Sequence, residues 1–235
     1  MSIRVAIYCL LFSLPLCYSC QSIGIQHPEQ IEQAIVHFYN ENENEKVVQI
    51  LDNTDSIPLN NISRELIQIL RAGALCELWL TDSSNLAIQA LQPEKLHATN
   101  QGWYYSNKGL IQFRRSEIGE AYKSLITANG SKYLDPRTKA LNERILARIS
   151  FQLDEQDKGI EWLALSTQHF RELNLRKSVA VNEKTLGRYY MNNGNYAEAQ
   201  QCFISAEKVF NEFHDHAELF YVYINLIDYH IKTKD

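Results

Sequence analysis

The side chains in this sequence that are spaced for chemistry are cations. Arg144 and Arg148 stand four residues apart, and Lys184 and Arg188 repeat that pair 40 positions later. On a helix, residues four apart share one face, so each pair projects from one side of its helix. Guanidinium groups bind carboxylates through parallel hydrogen bonds, so a strip of this kind suits acidic side chains or a terminal carboxylate. An exposed face on which Glu143 and Glu183 neutralise the same cations is the competing reading. Catalytic and metal chemistry has less to stand on. Of the seven histidines, His214 and His216 flank Asp215 in the tightest cluster. Residues two apart on a helix diverge, and neither H-E-x-x-H nor C-x-x-C accompanies them, so no metal site is expected. No G-x-S-x-G, G-x-x-x-x-G-K-[ST] or G-x-G-x-x-G motif occurs, which argues against a nucleophile elbow and against phosphate-cradling loops. The acidic run Glu41, Glu43, Glu45 reads as a solvated turn. The expected protein is not an enzyme, has no catalytic residues and needs no cofactor.

What must position the cations is helical. Among 235 residues, 45% are hydrophobic and only 9 are Gly and 5 Pro, enough apolar material for a core and too few breakers for a loop-rich fold. Apolar residues recur at intervals of three and four almost throughout, and strict alternation over a strand length is scarce. The 28 acidic and 23 basic residues give a formal charge of −5, which argues against a nucleic-acid partner. The helical pattern also repeats. Ala199, Phe203, Ala206 and Phe210, spaced 4, 3, 4, form one helix face, and 40 positions earlier stand Gly159, Leu163, Ser166 and Phe170. Leu186-Gly187 answers to Leu146-Ala147 at the same interval, and a step of 38 leads back from Ala147 to Gly109. Small residues fall where two helices must approach closely, and large ones fill the space between. Tyr190, Tyr196, Phe203, Phe210, Trp162 and Phe170 are accordingly expected in the core.

The unit Leu186, Gly187, Tyr190, Gly194, Tyr196, Ala199, Phe203, Ala206 resembles the tetratricopeptide (TPR) repeat. The resemblance implies an all-α fold, a TPR-like superhelix of antiparallel helix pairs, with a period of about 40 in place of the usual 34. It covers residues 105–235, while residues 28–104 read as more degenerate pairs of the same kind. There, Pro28 starts a helix carrying Ile31, Ala34, Ile35 and Phe38. Val47, Val48, Ile50 and Leu51 belong to its partner, and Asp52 to Asn61 form a loop. A helix from Leu66 to Leu80 is expected to stop at Thr81-Asp82-Ser83-Ser84, and another from Leu86 to end at Pro93. The pattern ends after one helix beyond His216, which fits a solvating cap on the array and equally a chain that continues into a membrane helix and an output domain.

The first residues read as an address. Arg4 supplies a positive start, an apolar stretch runs from Val5 to Leu16, and small side chains at Cys17 and Ser19 precede Cys20. Residues 1–19 are expected to be a signal peptide and 20–27 a tether. Cys17-Tyr18-Ser19-Cys20 resembles the lipobox of bacterial lipoproteins, although Cys17 stands where Leu is usual. The resemblance implies lipidation of Cys20, export to the bacterial cell envelope and membrane attachment through the lipid alone. A soluble periplasmic or secreted form is the alternative. With Cys20 lipidated, Cys76 and Cys202 remain as separate thiols on helices, so no disulfide framework is expected.

For a TPR-like array these features imply a non-catalytic scaffold that binds a protein or peptide through its concave face. Arg144, Arg148, Lys184 and Arg188 would meet the partner's carboxylates, and Trp103-Tyr104-Tyr105 would be the next surface to consider. The sensor portion of a TPR-containing signalling or transcription regulator and an enzyme on a helical scaffold are the alternatives.

Overall fold

Helical periodicity becomes ten α-helices and no strand among the described residues of the computed structural model, which are 35, 44–51 and 60–233. The signal peptide, Cys20, the tether and most of the loop at 52–59 lie outside the described residues. In chain order the helices are α1 (Asn44–Leu51), α2 (Asn61–Glu77), α3 (Thr81–Gln89), α4 (Ala98–Arg114), α5 (Ile118–Asn129), α6 (Pro136–Gln152), α7 (Gln156–Glu172), α8 (Arg176–Asn192), α9 (Tyr196–Glu212) and α10 (His216–Thr233). A short 3-10 turn, Pro93–Lys95, precedes α4. Helices α2/α3, α4/α5, α6/α7 and α8/α9 are antiparallel pairs, and α10 opens the next. Neighbouring pairs also touch through their first helices, α2 with α4, α4 with α6 and α8 with α10. This is the TPR-like superhelix of helix pairs. First helices begin at 61, 98, 136, 176 and 216, so the period lengthens from 37 to 40 along the chain.

Two slots of small residues set the closeness of each pair. On the first helices they are Ala72, Gly109, Ala147 and Gly187, and on the second helices Ser84, Ala121, Gly159 and Ala199, all buried. In the first pair Ser84 Oγ donates to the Ala72 carbonyl at 2.7 Å. In the last, a Cβ built on Gly187 would lie 2.7 Å from Cε1 of the fully buried Phe203. Around these contacts Phe203, Phe210 and Phe170 are completely enclosed, and Trp162, Tyr190 and Tyr196 pack at the core's margin.

The turns repeat as faithfully as the helices. Leu80, Glu117, Glu155, Leu175, Asn195 and Asp215 each donate a backbone N–H to the carbonyl five residues earlier, at 2.9 Å. That 6→1 bond is the signature of the Schellman ending, which requires left-handed backbone at the residue before it. Gly194 supplies it with φ of 78°, whereas Trp79, Ser116, Asp154, Asn174 and His214 adopt it as non-glycines with φ of 53–63°. Helix starts are capped where the sequence allows: Asn60 accepts from the Ser63 N–H and Asp135 from that of Thr138, the latter with Pro136 following.

Three boundaries differ from the sequence reading. Thr81 to Ser84 is the first turn of α3, and the preceding helix ends at Glu77, because Leu78 to Leu80 make the Schellman turn. Serine and threonine suit helix starts as well as stops, which is why composition misplaced the break. The division at 104/105 falls inside α4, so regular pairing continues across it. Trp103 and Tyr104 are 8% and 4% exposed and belong to the core of the first pairs, so they offer no binding surface. The region before them contributes Ile35 and Val47, both fully buried against the same core.

Candidate functional site

The two cationic slots on the first helices have opposite fates. Arg144 and Lys184 occupy the same slot in successive pairs, and each reaches forward to the next first helix. Arg144 Nε donates to Asn182 Oδ1 at 2.5 Å, its Nη2 donates to the Ser178 carbonyl at 2.8 Å, and the guanidinium lies 4.7 Å from the centre of the Phe170 ring. Lys184 pairs with Glu218 of α10 and sits over the ring of Tyr221. Ser106, at the corresponding place on α4, donates to Asn142 at 2.8 Å. Asn142 in turn donates to Asn129, and Asn182 to Ser166 and Thr167. One slot therefore builds a polar ladder that joins successive pairs. Burial pushes the Arg144 pKa down to about 10, which leaves it a cation at neutral pH.

The other slot faces solvent. Arg148 and Arg188 are both exposed, and among the described residues neither makes an ion pair. Arg148 lays its guanidinium 4.7 Å from the centre of the Phe113 ring on the preceding first helix. The equivalent ring for Arg188 is Phe151, whose face is covered by Tyr189 in a stacked pair at 4.6 Å. Protein packed around the Arg148 guanidinium, then the charges of Arg114 and Arg188, depress its pKa. The guanidiniums of Arg114 on α4 and Arg188 on α8 thus both act on Arg148 between them. Glu77 opposes them at Arg148 and accepts from Arg114 at 2.9 Å. Arg114 also covers the ring of Trp79 at 4.2 Å, and Trp79 is 72% exposed at its left-handed turn position.

The four cations expected to form one strip are therefore divided. Arg148 and Arg188 make no ion pair among the described residues, Arg144 and Lys184 are structural links, and Arg114, paired with Glu77, lies near Arg148. Arg114 escaped the sequence reading because it stands four residues past the slot, where α6 and α8 carry Gln152 and Asn192. The carboxylates of the competing reading have other partners: Glu143 meets His169 at 2.8 Å and Glu183 accepts from Ser205. Glu143 is buried, and that burial raises its carboxyl pKa, opposed by the hydrogen bond with His169.

The remaining candidates lie elsewhere. Asp215 is committed to Lys177 at 2.7 Å and to the Glu218 N–H at the start of α10. Among the described residues, no three His, Cys, Asp or Glu are grouped to hold a metal ion. Cys76 and Cys202 are free thiols whose pKa burial raises to about 11, which keeps them protonated and unreactive at neutral pH. Among the described residues, no helix is long and apolar enough to cross a membrane.

No family model matches the chain, and no curated protein matches it. Among solved structures, the chain is similar to BtubC (BKLC) from P. vanneervenii, with a TM-score of 0.54 and 17% identity over 88% of this chain and 84% of that one. It also aligns with the apo form of RapI, with a TM-score of 0.46 and 14% identity over 88% of this chain and 71% of that one. At such identities the likeness to BtubC concerns the fold alone.

Proposed function

We propose that the chain is a non-catalytic scaffold that binds an acidic segment of another protein along the side formed by α4, α6 and α8. The observation that supports it most is a pair of neighbouring guanidiniums, Arg148 and Arg188, that make no ion pair among the described residues of a protein of net charge −5. Uncompensated arginines held near one another raise each other's energy, and a bound carboxylate relieves that repulsion. An extended peptide bearing Asp, Glu or its own C-terminus would supply the charge, and Trp79 at the edge adds an exposed aromatic surface of the kind that anchors interfaces. The test measures fluorescence anisotropy of labelled extended peptides that carry either clustered acidic residues or their neutral amide counterparts. Acidic peptides should bind, weaken as salt rises, and lose about tenfold in affinity for each arginine reversed in Arg148→Glu and Arg188→Glu. Helicity should stay unchanged in those variants. Equal binding of neutral and acidic peptides, or full affinity in the double variant, would sink the proposal.

The scaffold works, in this proposal, from the cell envelope, held there by a lipid on Cys20. The support is the order of Arg4, the apolar stretch and Cys17-Tyr18-Ser19-Cys20. Metabolic labelling with a fatty-acid probe should mark the wild type and not Cys20→Ser. Absence of label from both would leave export without an anchor.

A further inference from the structure

Helix α10 carries an apolar stripe that faces away from its own array. Phe220, Ile224, Ile227 and Ile231 are 62%, 46%, 59% and 70% exposed, and their spacing of 4, 3, 4 places them in one line along the helix. No charged residue interrupts the line; Tyr221 and Tyr223 flank it, also exposed. The opposite face, with Leu219, Val222 and Tyr229, is buried on α8 and α9. So this side of α10 is not the polar outer face of a solvating cap. Nor does it offer the seat that α8 offers α9. Ile227 stands 40 residues after Gly187, in the slot that is Ala72, Gly109, Ala147 and Gly187 in the earlier first helices. At Gly187 even a Cβ would collide with Phe203, so a second helix approaching α10 in the same way would meet a whole isoleucine.

We infer that this face of α10 is where a second copy of the chain docks, with the two α10 helices antiparallel about a two-fold axis near residues 225 and 226. The stripe is symmetric about that point. Antiparallel pairing sets Phe220 against the other copy's Ile231 and Ile224 against its Ile227, so large apolar side chains meet along the whole seam. The two-fold keeps each flank on the same side in both copies, so it sets Tyr221 beside the other copy's Asp228 and Tyr223 beside its His230, each a polar flank with a partner. A two-fold contact needs one self-complementary patch, and this stripe is one. Six side chains, Phe220, Tyr221, Tyr223, Ile224, Ile227 and Ile231, each 44–70% exposed, present about 600 Å² per copy. Doubled, that reaches the lower range of specific interfaces, about 1,200 Å².

Sedimentation velocity of the full chain tests this together with charge placement at the paired positions. The wild type should sediment at twice the chain mass at tens of micromolar, and Ile224→Glu with Ile227→Glu at the chain mass, with unchanged circular dichroism. Phe220→Glu alone and Ile231→Lys alone should each weaken the dimer. The two combined should restore it, since antiparallel pairing brings each new carboxylate to a new ammonium. A monomeric wild type would overturn the inference and mean that another segment or another protein covers α10. A dimer indifferent to all four substitutions would overturn it as well. Combined substitutions that fail to restore a dimer lost in both single variants would overturn the antiparallel register. Peptide binding at Arg148 and Arg188 is measured separately, so neither result stands in for the other.

Discussion

Phe203→Ala is expected to be among the most damaging single substitutions in the protein, costing about 3–5 kcal/mol. Phe203 is completely buried in the α8/α9 pair, and its ring edge fills the space that Gly187 leaves by having no side chain. Removing the ring forfeits its burial and opens a cavity that two 17-residue helices cannot collapse into without shifting against each other. The same contact makes the reverse change harmful. In an isolated helix interior Gly→Ala gains roughly 0.5–1 kcal/mol. Here a Cβ on Gly187 would stand 2.7 Å from Phe203 Cε1 and 3.0 Å from Cys202 Cβ, so Gly187→Val should cost about 1–3 kcal/mol instead. Combining Gly187→Ala with Phe203→Leu should be less harmful than the two separate losses added together, because each relieves the other's misfit. Urea unfolding followed by circular dichroism measures all five variants. Strict additivity, or a stable Gly187→Val, would show that the two side chains do not meet.

Arg144→Ala should destabilise by about 2–4 kcal/mol, whereas Arg148→Ala, four residues along the same helix, should stay within about 0.5 kcal/mol. The difference follows from where the guanidiniums end. Arg144 satisfies the buried Asn182 and a carbonyl of α8, and both acceptors lose their donor when it is cut back. Arg148 lies over the Phe113 ring and makes no ion pair among the described residues, so its removal strands no polar partner. Since Arg144 links two consecutive pairs, its loss should also reduce cooperativity, with α8, α9 and α10 opening ahead of the earlier helices. In stacked repeats, stability is carried by interfaces between neighbours. Thermal melts of the two variants, read beside hydrogen exchange in α8 to α10, test both parts. Equal melting points would mean that the two arginines occupy equivalent environments.

The fold class was open in the sequence because a repeat writes the same packing problem several times. Gly109, Ala147 and Gly187 on one helix, and Gly159 and Ala199 on the next, mark the close crossing in pair after pair. Any one of them would be ambiguous alone, and their recurrence at 38 and 40 residues is not. The 4, 3, 4 spacing of Ala199, Phe203, Ala206 and Phe210 likewise fixed which face is buried. Helix ends were less legible. A Schellman turn depends on backbone geometry that Trp79, Ser116, Asp154, Asn174 and His214 adopt without glycine, so no residue type announces it.

The candidate site divided along a similar line. Sequence spacing alone established that Arg144, Arg148, Lys184 and Arg188 recur on a shared helical face, because four residues make about one helical turn. Which of them stays free was decided by tertiary structure. Whether a cation is bound depends on what the next first helix brings within about 3 Å of it, and that distance spans 34–38 residues of chain for Arg144 and Lys184. The same holds at α10. Its place in the repeat says only that one more helix stacks there, since hydrophobicity records how much must be covered and not by what. Only the packing of α8 and α9 against one face shows that Phe220, Ile224, Ile227 and Ile231 are left on the other.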